Sequence, residues 1–448
     1  MMRRRDLLGA GGAALIGGAG GLAALSNAAS VDNDYRALVV LFLMGGNDGL
    51  NMLVPNDTAY SDYSAARANL ALPRNSLVAL PGSSGGHTLG VHPAMAPLAP
   101  LYGQGRLAFV ANVGALVQPA TAAQVLDSAV AVPPFLLSHS DQTAIAQGWT
   151  LEQDNSGWAG RGLELLPSSL KNALAANTFG PGRQLVLGRR SGVSAIVPGG
   201  LTYWGTADLR HPEQAQTQAL LRMGQWQFAN AYEADFARQL ASSMDDQIRM
   251  GRAFAQAAPP VGDFPGDNLG TQLRSLASIM PVLKAQGLKR QVFYVQWGNL
   301  DTHAEQRGSS AYTQDTQLDT MAKALAAFDT ANRASGLDAN VTTLVMSEFG
   351  RTLRSGSGGG SEHAWGNHWL ALGGAVAGGE VHGTLPRLTL GGPDDMDRDK
   401  GGRFVPTTSI DQVGAAAMQW LGLAPAQFDA VFPNLVNFQQ KTIPLLRT

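Results

Sequence analysis

The chain has no cysteine in 448 residues. That excludes disulfides, a thiol nucleophile, cysteine-type zinc sites and a lipid-anchored cysteine. Charge is scarce as well. Asp, Glu, Lys and Arg make up 15%, the formal net charge is −2, and no basic stripe or block of like charge occurs. Nucleic acid is therefore not expected as a partner, because the electrostatic footprint it requires is missing. There is no internal repeat and no long low-complexity tract beyond the N-terminus.

Hydrophobic residues are plentiful at 45%, so a sizeable core can form. The 54 glycines point to many loops and tight turns rather than disorder. The length suits two or three average domains, or one large α/β domain with insertions. The pattern below favours one domain over residues 29–448, with a helical insertion near 200–265. Met1–Ser30 reads MMRRRDLLGAGGAALIGGAGGLAALSNAAS. Arg3, Arg4 and Arg5 precede Leu7–Leu8, a mild Gly/Ala-rich apolar stretch and a small-residue cleavage pattern at Ser26-Asn27-Ala28. Residues 1–28 are thus expected to be a twin-arginine export signal. The Gly-rich stretch is only weakly hydrophobic for a spanning helix, so no stable membrane anchor is expected after cleavage. Periplasmic or extracellular location follows, and this export route carries proteins already folded.

Several apolar runs read as buried strands: Arg36–Gly46, Leu107–Val113, Gln291–Trp297 and Asn340–Met346. Helical spacing over Asn268–Gly287, Thr313–Ala334 and Ser409–Leu423 supplies covering helices. The predicted fold class is α/β: a doubly wound, mostly parallel central sheet flanked by helices. Three carboxylates follow three of these strands: Asp48 after GGN, Asp301 after GNL, and Glu348 after Ser347. In a doubly wound sheet such ends converge on one crevice. Like charges gathered there repel, and a divalent cation is the usual remedy. His303 and His363 lie in the same loops, and a mixed carboxylate/imidazole set suits Zn, Mn or a related ion. Asp48, Asp301, His303, Glu348 and His363 are the candidate metal ligands.

Ser138, in Leu137–Gln142 (LSHSDQ), is the candidate nucleophile, with His139 or Asp141 to orient it or bind metal. The same pattern also fits a plain helix N-cap, which spacing alone favours. Arg351 is expected to pair with a carboxylate or to clamp a substrate anion, and Asn51 is a second candidate substrate contact. His368 is read as a residue that orients or packs beside His363, with metal ligation as the lesser alternative, and Trp297 and Trp365 as core or pocket wall.

MGGNDGLNMLVP (Met44–Pro55), VHP (Val91–Pro93), SHSDQ (Ser138–Gln142), GWAGR (Gly157–Arg161), DTH (Asp301–His303), SEFGRT (Ser347–Thr352) and EHAWGNHWLALGGAVAGG (Glu362–Gly379) resemble the DUF1501 family of exported bacterial proteins. That family is similar to the alkaline phosphatase and sulfatase superfamily. The resemblance implies an alkaline-phosphatase-like architecture and a site for one or two divalent metals. By motif, it implies Asp48 as the first-strand ligand, Asp301 and His303 as the Asp…His pair, Glu348 as the later acidic ligand and His363 as the final His. Ser138 matches the nucleophile. The sequence departs from the superfamily in three places: Asp301 and His303 are closer together, Phe349 stands where a ligand His is expected, and Glu362 precedes His363 in place of Asp. The expected function is an exported metal-dependent hydrolase of phosphate or sulfate esters acting on a small-molecule ester. The rival expectation is a non-catalytic exported binding or assembly protein with a degenerate metal site and a protein partner.

Overall fold

Arg36–Leu43 (β1) is buried at every position after the first, as a strand covered on both faces must be. It sits at the middle of the sheet in the computed structural model, which describes residues 34–149 and 154–447. The export signal assigned to residues 1–28 lies outside the described residues. From Tyr35 onward the described residues form a single unit.

Eight further strands join β1: β2 (Leu107–Gly114), β3 (Ala176–Phe179), β4 (Ser194–Ile196), β5 (Arg290–Trp297), β6 (Val341–Ser347), β7 (Asn367–Leu372), β8 (Val381–His382) and β9 (Thr408–Ser409). The order across the sheet is β8-β2-β7-β6-β1-β5-β3-β4, and β9 pairs with β2. The run from β6 through β1, β5 and β3 to β4 is parallel. Only β7 runs against its neighbours, antiparallel to both β6 and β2. The apolar composition of Trp369–Leu372 shows that this strand is buried, but composition carries no direction.

The covering helices are α1 (His139–Ala146), α2 (Trp158–Leu165), α3 (Ala215–Met223), α4 (Ala231–Gln256), α5 (Asn268–Ala285), α6 (Gln314–Ala334) and α7 (Ile410–Trp420). Alternation along each strand sends its side chains to opposite faces. Val39, Leu41, Phe293 and Val295 pack with Leu273 and Leu276 of α5 and Met321 and Leu325 of α6. Val40, Phe42, Val292 and Tyr294 pack with Trp158 of α2 and Val413 and Trp420 of α7. The sheet is therefore sandwiched between helical layers, the observed form of the expected α/β class. Between β4 and α5, Met244 and Ile248 of α4 close a small separate cluster with Ala207 and Leu209. Among the described residues, no helix is long and apolar enough to cross a membrane.

Candidate metal centre

Register fixes the site. Leu43 at the end of β1 pairs with Trp297 of β5 on one side and Ser347 of β6 on the other. Three parallel strands thus end level, and the connections that follow leave along one edge of the sheet. Two of these connections touch. Leu300 N–H donates to the Met44 carbonyl at 2.8 Å. A Cβ on Gly45 would lie 2.4 Å from Asp301 N, and Gly45 has φ +103°. Glycine is required there for both the turn and the close approach.

Asp301 Oδ1 is the centre of a cluster of imidazoles. His303 Nε2 lies 3.0 Å from it, His363 Nε2 3.1 Å and His139 Nε2 3.3 Å. His303 Nε2 and His363 Nε2 are themselves 2.9 Å apart. The ligand atoms of His139, Asp301 and His363 all lie within 4.8 Å of one another. Each ring is held through its other nitrogen. His139 Nδ1 meets Glu348 Oε1 at 2.9 Å, His303 Nδ1 meets Glu362 Oε2 at 2.6 Å, and His363 Nδ1 meets the Leu137 carbonyl at 2.8 Å. Carboxylate and carbonyl oxygens accept, so in each case Nδ1–H donates. Phe349 packs its ring 4.8 Å from that of His139 and 4.7 Å from that of His363, fixing both planes.

With the Nδ1 atoms donating, neutral rings turn Nε2 lone pairs toward Asp301. Lone pairs on His303 and His363 at 2.9 Å repel unless a cation lies between them or one ring is protonated. Protonation of His363 is disfavoured: burial lowers its pKa, against the pull of Asp301. His139 moves the other way, raised by its hydrogen bond to Glu348. Burial works to raise the Asp301 pKa, but the hydrogen bond and charge of Arg351 outweigh it and hold the carboxyl well below the usual range. His139 Nε2 is buried with no hydrogen-bond partner despite its nearness to Asp301. An orphaned imidazole nitrogen aimed at a carboxylate, with its far nitrogen fixed by an acid, is the arrangement of a metal-ligating histidine. The donor set thus fits a divalent cation. The cluster is also reachable, since the side chains of Asp301 and His303 are 37% and 41% exposed.

The remaining predicted residues lie elsewhere or have other partners. Asp48 is sealed in an ion pair with Arg67, both side chains being fully buried, and it also accepts from Gln306 Nε2 and Leu50 N–H. Its charge is already balanced, and removing one partner of such a pair costs about 3–5 kcal/mol. The expected ligand role of Asp48 gives way to this structural one. Glu348 is likewise fully buried and accepts from Gly45 N–H, Ser347 Oγ and His139. It orients an imidazole instead of facing the open side. Asn51 has no exposed atom for a substrate, because its amide is engaged by Leu70, Tyr63 and Arg67. Arg351 is buried too. It donates to Asp301 at 2.5 Å and to the carbonyls of Gly45, Gly46, Leu300 and Ser361, which leaves no face for a substrate anion. Ser138 occupies the N-cap position of α1, and its hydroxyl donates to the Asp141 carboxylate.

His139 was weighed beside Ser138 as able to orient it or bind metal, but it was not among the five candidate ligands. The Ser-His pair before α1 was the available signal, but only the fold shows that the first residue of α1 reaches Asp301. Arg351 was expected to pair with a carboxylate and does so with Asp301, whereas Arg67 gave no signal. Each of the three strand-end carboxylates has its own cation or imidazole, so the carboxylate repulsion expected from the sequence is already relieved. The imidazole lone pairs, not the carboxylates, are the groups a metal ion would satisfy.

No curated protein matches this chain. Among solved structures, the chain is similar to the lipoteichoic acid synthase LtaP from Listeria monocytogenes, with 8% identity, a TM-score of 0.35, and 90% of this chain and 76% of that one covered. It is also similar to the PsFucS1 sulfatase from Pseudoalteromonas sp., with 9% identity, a TM-score of 0.30, and coverage of 88% and 74%. A family model described as "Protein of unknown function (DUF1501)" matches residues 35–393, and the chain belongs to that family.

Proposed function

We propose that this protein is an exported, metal-dependent hydrolase of phosphate or sulfate esters. The observation that carries the reading is the convergence of the Nε2 atoms of His139, His303 and His363 on Asp301 Oδ1. These four residues would hold one divalent ion. Imidazole-rich sites suit Zn better than Mn. Such an ion supplies Lewis acidity to a phosphoryl or sulfuryl oxygen.

The chain's own residues do the rest. Glu348, Glu362 and the Leu137 carbonyl fix the three rings, and Arg351 keeps Asp301 ionised by donating to it. Ser138 lies between Leu137, which holds His363, and His139. Its hydroxyl is bonded to Asp141, a carboxylate placed to take its proton as the oxygen bonds to phosphorus or sulfur. The ester P–O or S–O bond breaks and the alcohol leaves with a proton; water then hydrolyses the ester formed on Ser138. Water is the alternative attacking group. The ester class and a small-molecule substrate rest on the motif resemblance to phosphatases and sulfatases, and export rests on Arg3–Arg5. One observation favours the second reading, an exported binding or assembly protein with a partner protein: of the three strand-end carboxylates, Asp48 and Glu348 are sealed and only Asp301 stays open.

The test is elemental analysis of the mature protein purified without chelator, beside the Asp301→Ala/His303→Ala variant. Near-stoichiometric metal that disappears in the variant, with turnover of 4-nitrophenyl phosphate or sulfate that disappears with it, is the expected result. Metal without turnover moves the assignment to the binding protein. Absence of metal even after reconstitution with Zn or Mn removes the site.

A further inference from the structure

A second site lies away from the imidazole cluster. The loop after β2, the stretch Ala131–Pro134, the end of α1, the start of α7 and the segment Val431–Asn434 enclose a cavity of about 450 Å³. That volume falls within the range of small-molecule sites, which are mostly apolar with a few placed polar groups. Its walls follow the rule: aliphatic and proline side chains dominate, and Trp149 and Phe432 add aromatic surface.

Two charged residues line it, and they are not equivalent. Arg161 is tied into the protein. Its Nη2 donates to the Val431 carbonyl at 2.8 Å and its Nη1 to the Ser156 carbonyl at 2.8 Å. Asp411 stands in the first turn of α7, with its backbone N–H on the Ser409 hydroxyl. Its carboxyl is pushed up to about 6 by burial, offset in part by Arg161 and Asn434. It is still mostly ionised at neutral pH. A carboxylate held against apolar walls pays a desolvation cost that a bound cation would offset.

We infer that this cavity binds a small apolar amine, with its ring or short chain among the aliphatic walls and its ammonium on the Asp411 carboxylate. An anion of equal shape meets the Asp411 carboxylate and finds the Arg161 donors already engaged by the Val431 and Ser156 carbonyls, and a neutral alcohol gains only the apolar part of the interaction. The site does not depend on the metal-centred reading, since none of the cluster residues lines it.

Calorimetric titration of the whole mature chain at pH 7.5 with phenethylamine, 2-phenylethanol and phenylacetate tests this. Phenethylamine should bind most tightly and phenylacetate least. Asp411→Asn should weaken phenethylamine by roughly tenfold or more, the scale of one lost charged contact, and leave 2-phenylethanol within about twofold. Val132→Trp, which fills the cavity from its rim, should abolish binding of all three probes and serves in place of Asp411→Asn if that variant does not fold. Undiminished phenethylamine affinity in Asp411→Asn or in Val132→Trp, phenylacetate binding as tightly as the amine, or absence of saturable amine binding would overturn the assignment.

Discussion

His368 is buried, and the Asn112 N–H donates to its Nδ1 at 3.1 Å, so that nitrogen carries no proton. Burial pushes its pKa down to about 4 from an ordinary 6.5. The unfolded chain therefore takes up a proton at His368 below about pH 6.5, while the folded chain takes none until about pH 4. Stability is unaffected by this residue above pH 6.5 and falls as the pH drops toward 4, by about 3 kcal/mol in total. Urea midpoints of metal-free protein between pH 7.5 and 4.5 should fall, and fall less in His368→Gln. Parallel curves would show that another group sets the slope. The sequence placed His368 as an orienting or packing residue, and its burial agrees with packing. What it could not reveal was pairing across long separations: Arg67 on Asp48, Arg351 on Asp301 and His139 on Glu348 join residues that no local pattern links.

At the level of elements, four apolar runs were enough to mark β1, β2, β5 and β6, because continuous burial leaves a continuous apolar signature. The pair Arg351–Ser355 and Ser361–His363 was less legible. It forms a hairpin that sets His363 opposite Arg351, whereas its Gly/Ser tip read only as a loop. Gly360 in that tip packs so closely on Thr302 and His303 that a Cβ would lie 2.2 Å from the Thr302 carbonyl oxygen. The turn at Gly45 plays the same part between β1 and Asp301. Gly45→Ala should cost about 1–3 kcal/mol in backbone strain alone, and its clash with Asp301 N should also reduce metal content. Gly82→Ala is the control: it has φ +77° but open space around it, so it should lose stability and keep its metal. Thermal melts with elemental analysis compare the two, and equal metal content in both would detach Gly45 from the site.

For the molecule as a whole, the central sheet and its helical layers could be anticipated from apolar periodicity, while the direction of β7 could not. A ligand that binds only the folded state stabilises it by mass action, by about 2.7 kcal/mol when free ligand is a hundred times the dissociation constant. Chelation should therefore lower the urea midpoint of the mature protein by an amount that grows with ion affinity. The Asp301→Ala/His303→Ala variant should show the same midpoint with and without chelator. A chelator effect that survives in the variant would place the stabilising ion elsewhere.

The residues that steady the cluster are remote in the chain: Leu137 and His363 are 226 positions apart, and His139 and Glu348 are 209 apart. A chain still emerging from the ribosome lacks the last imidazole until more than three-quarters of its length has been made. Under the proposed function, capture of the ion would then be one of the final events of maturation, and a chain cut short before His363 would leave synthesis unable to complete the cluster.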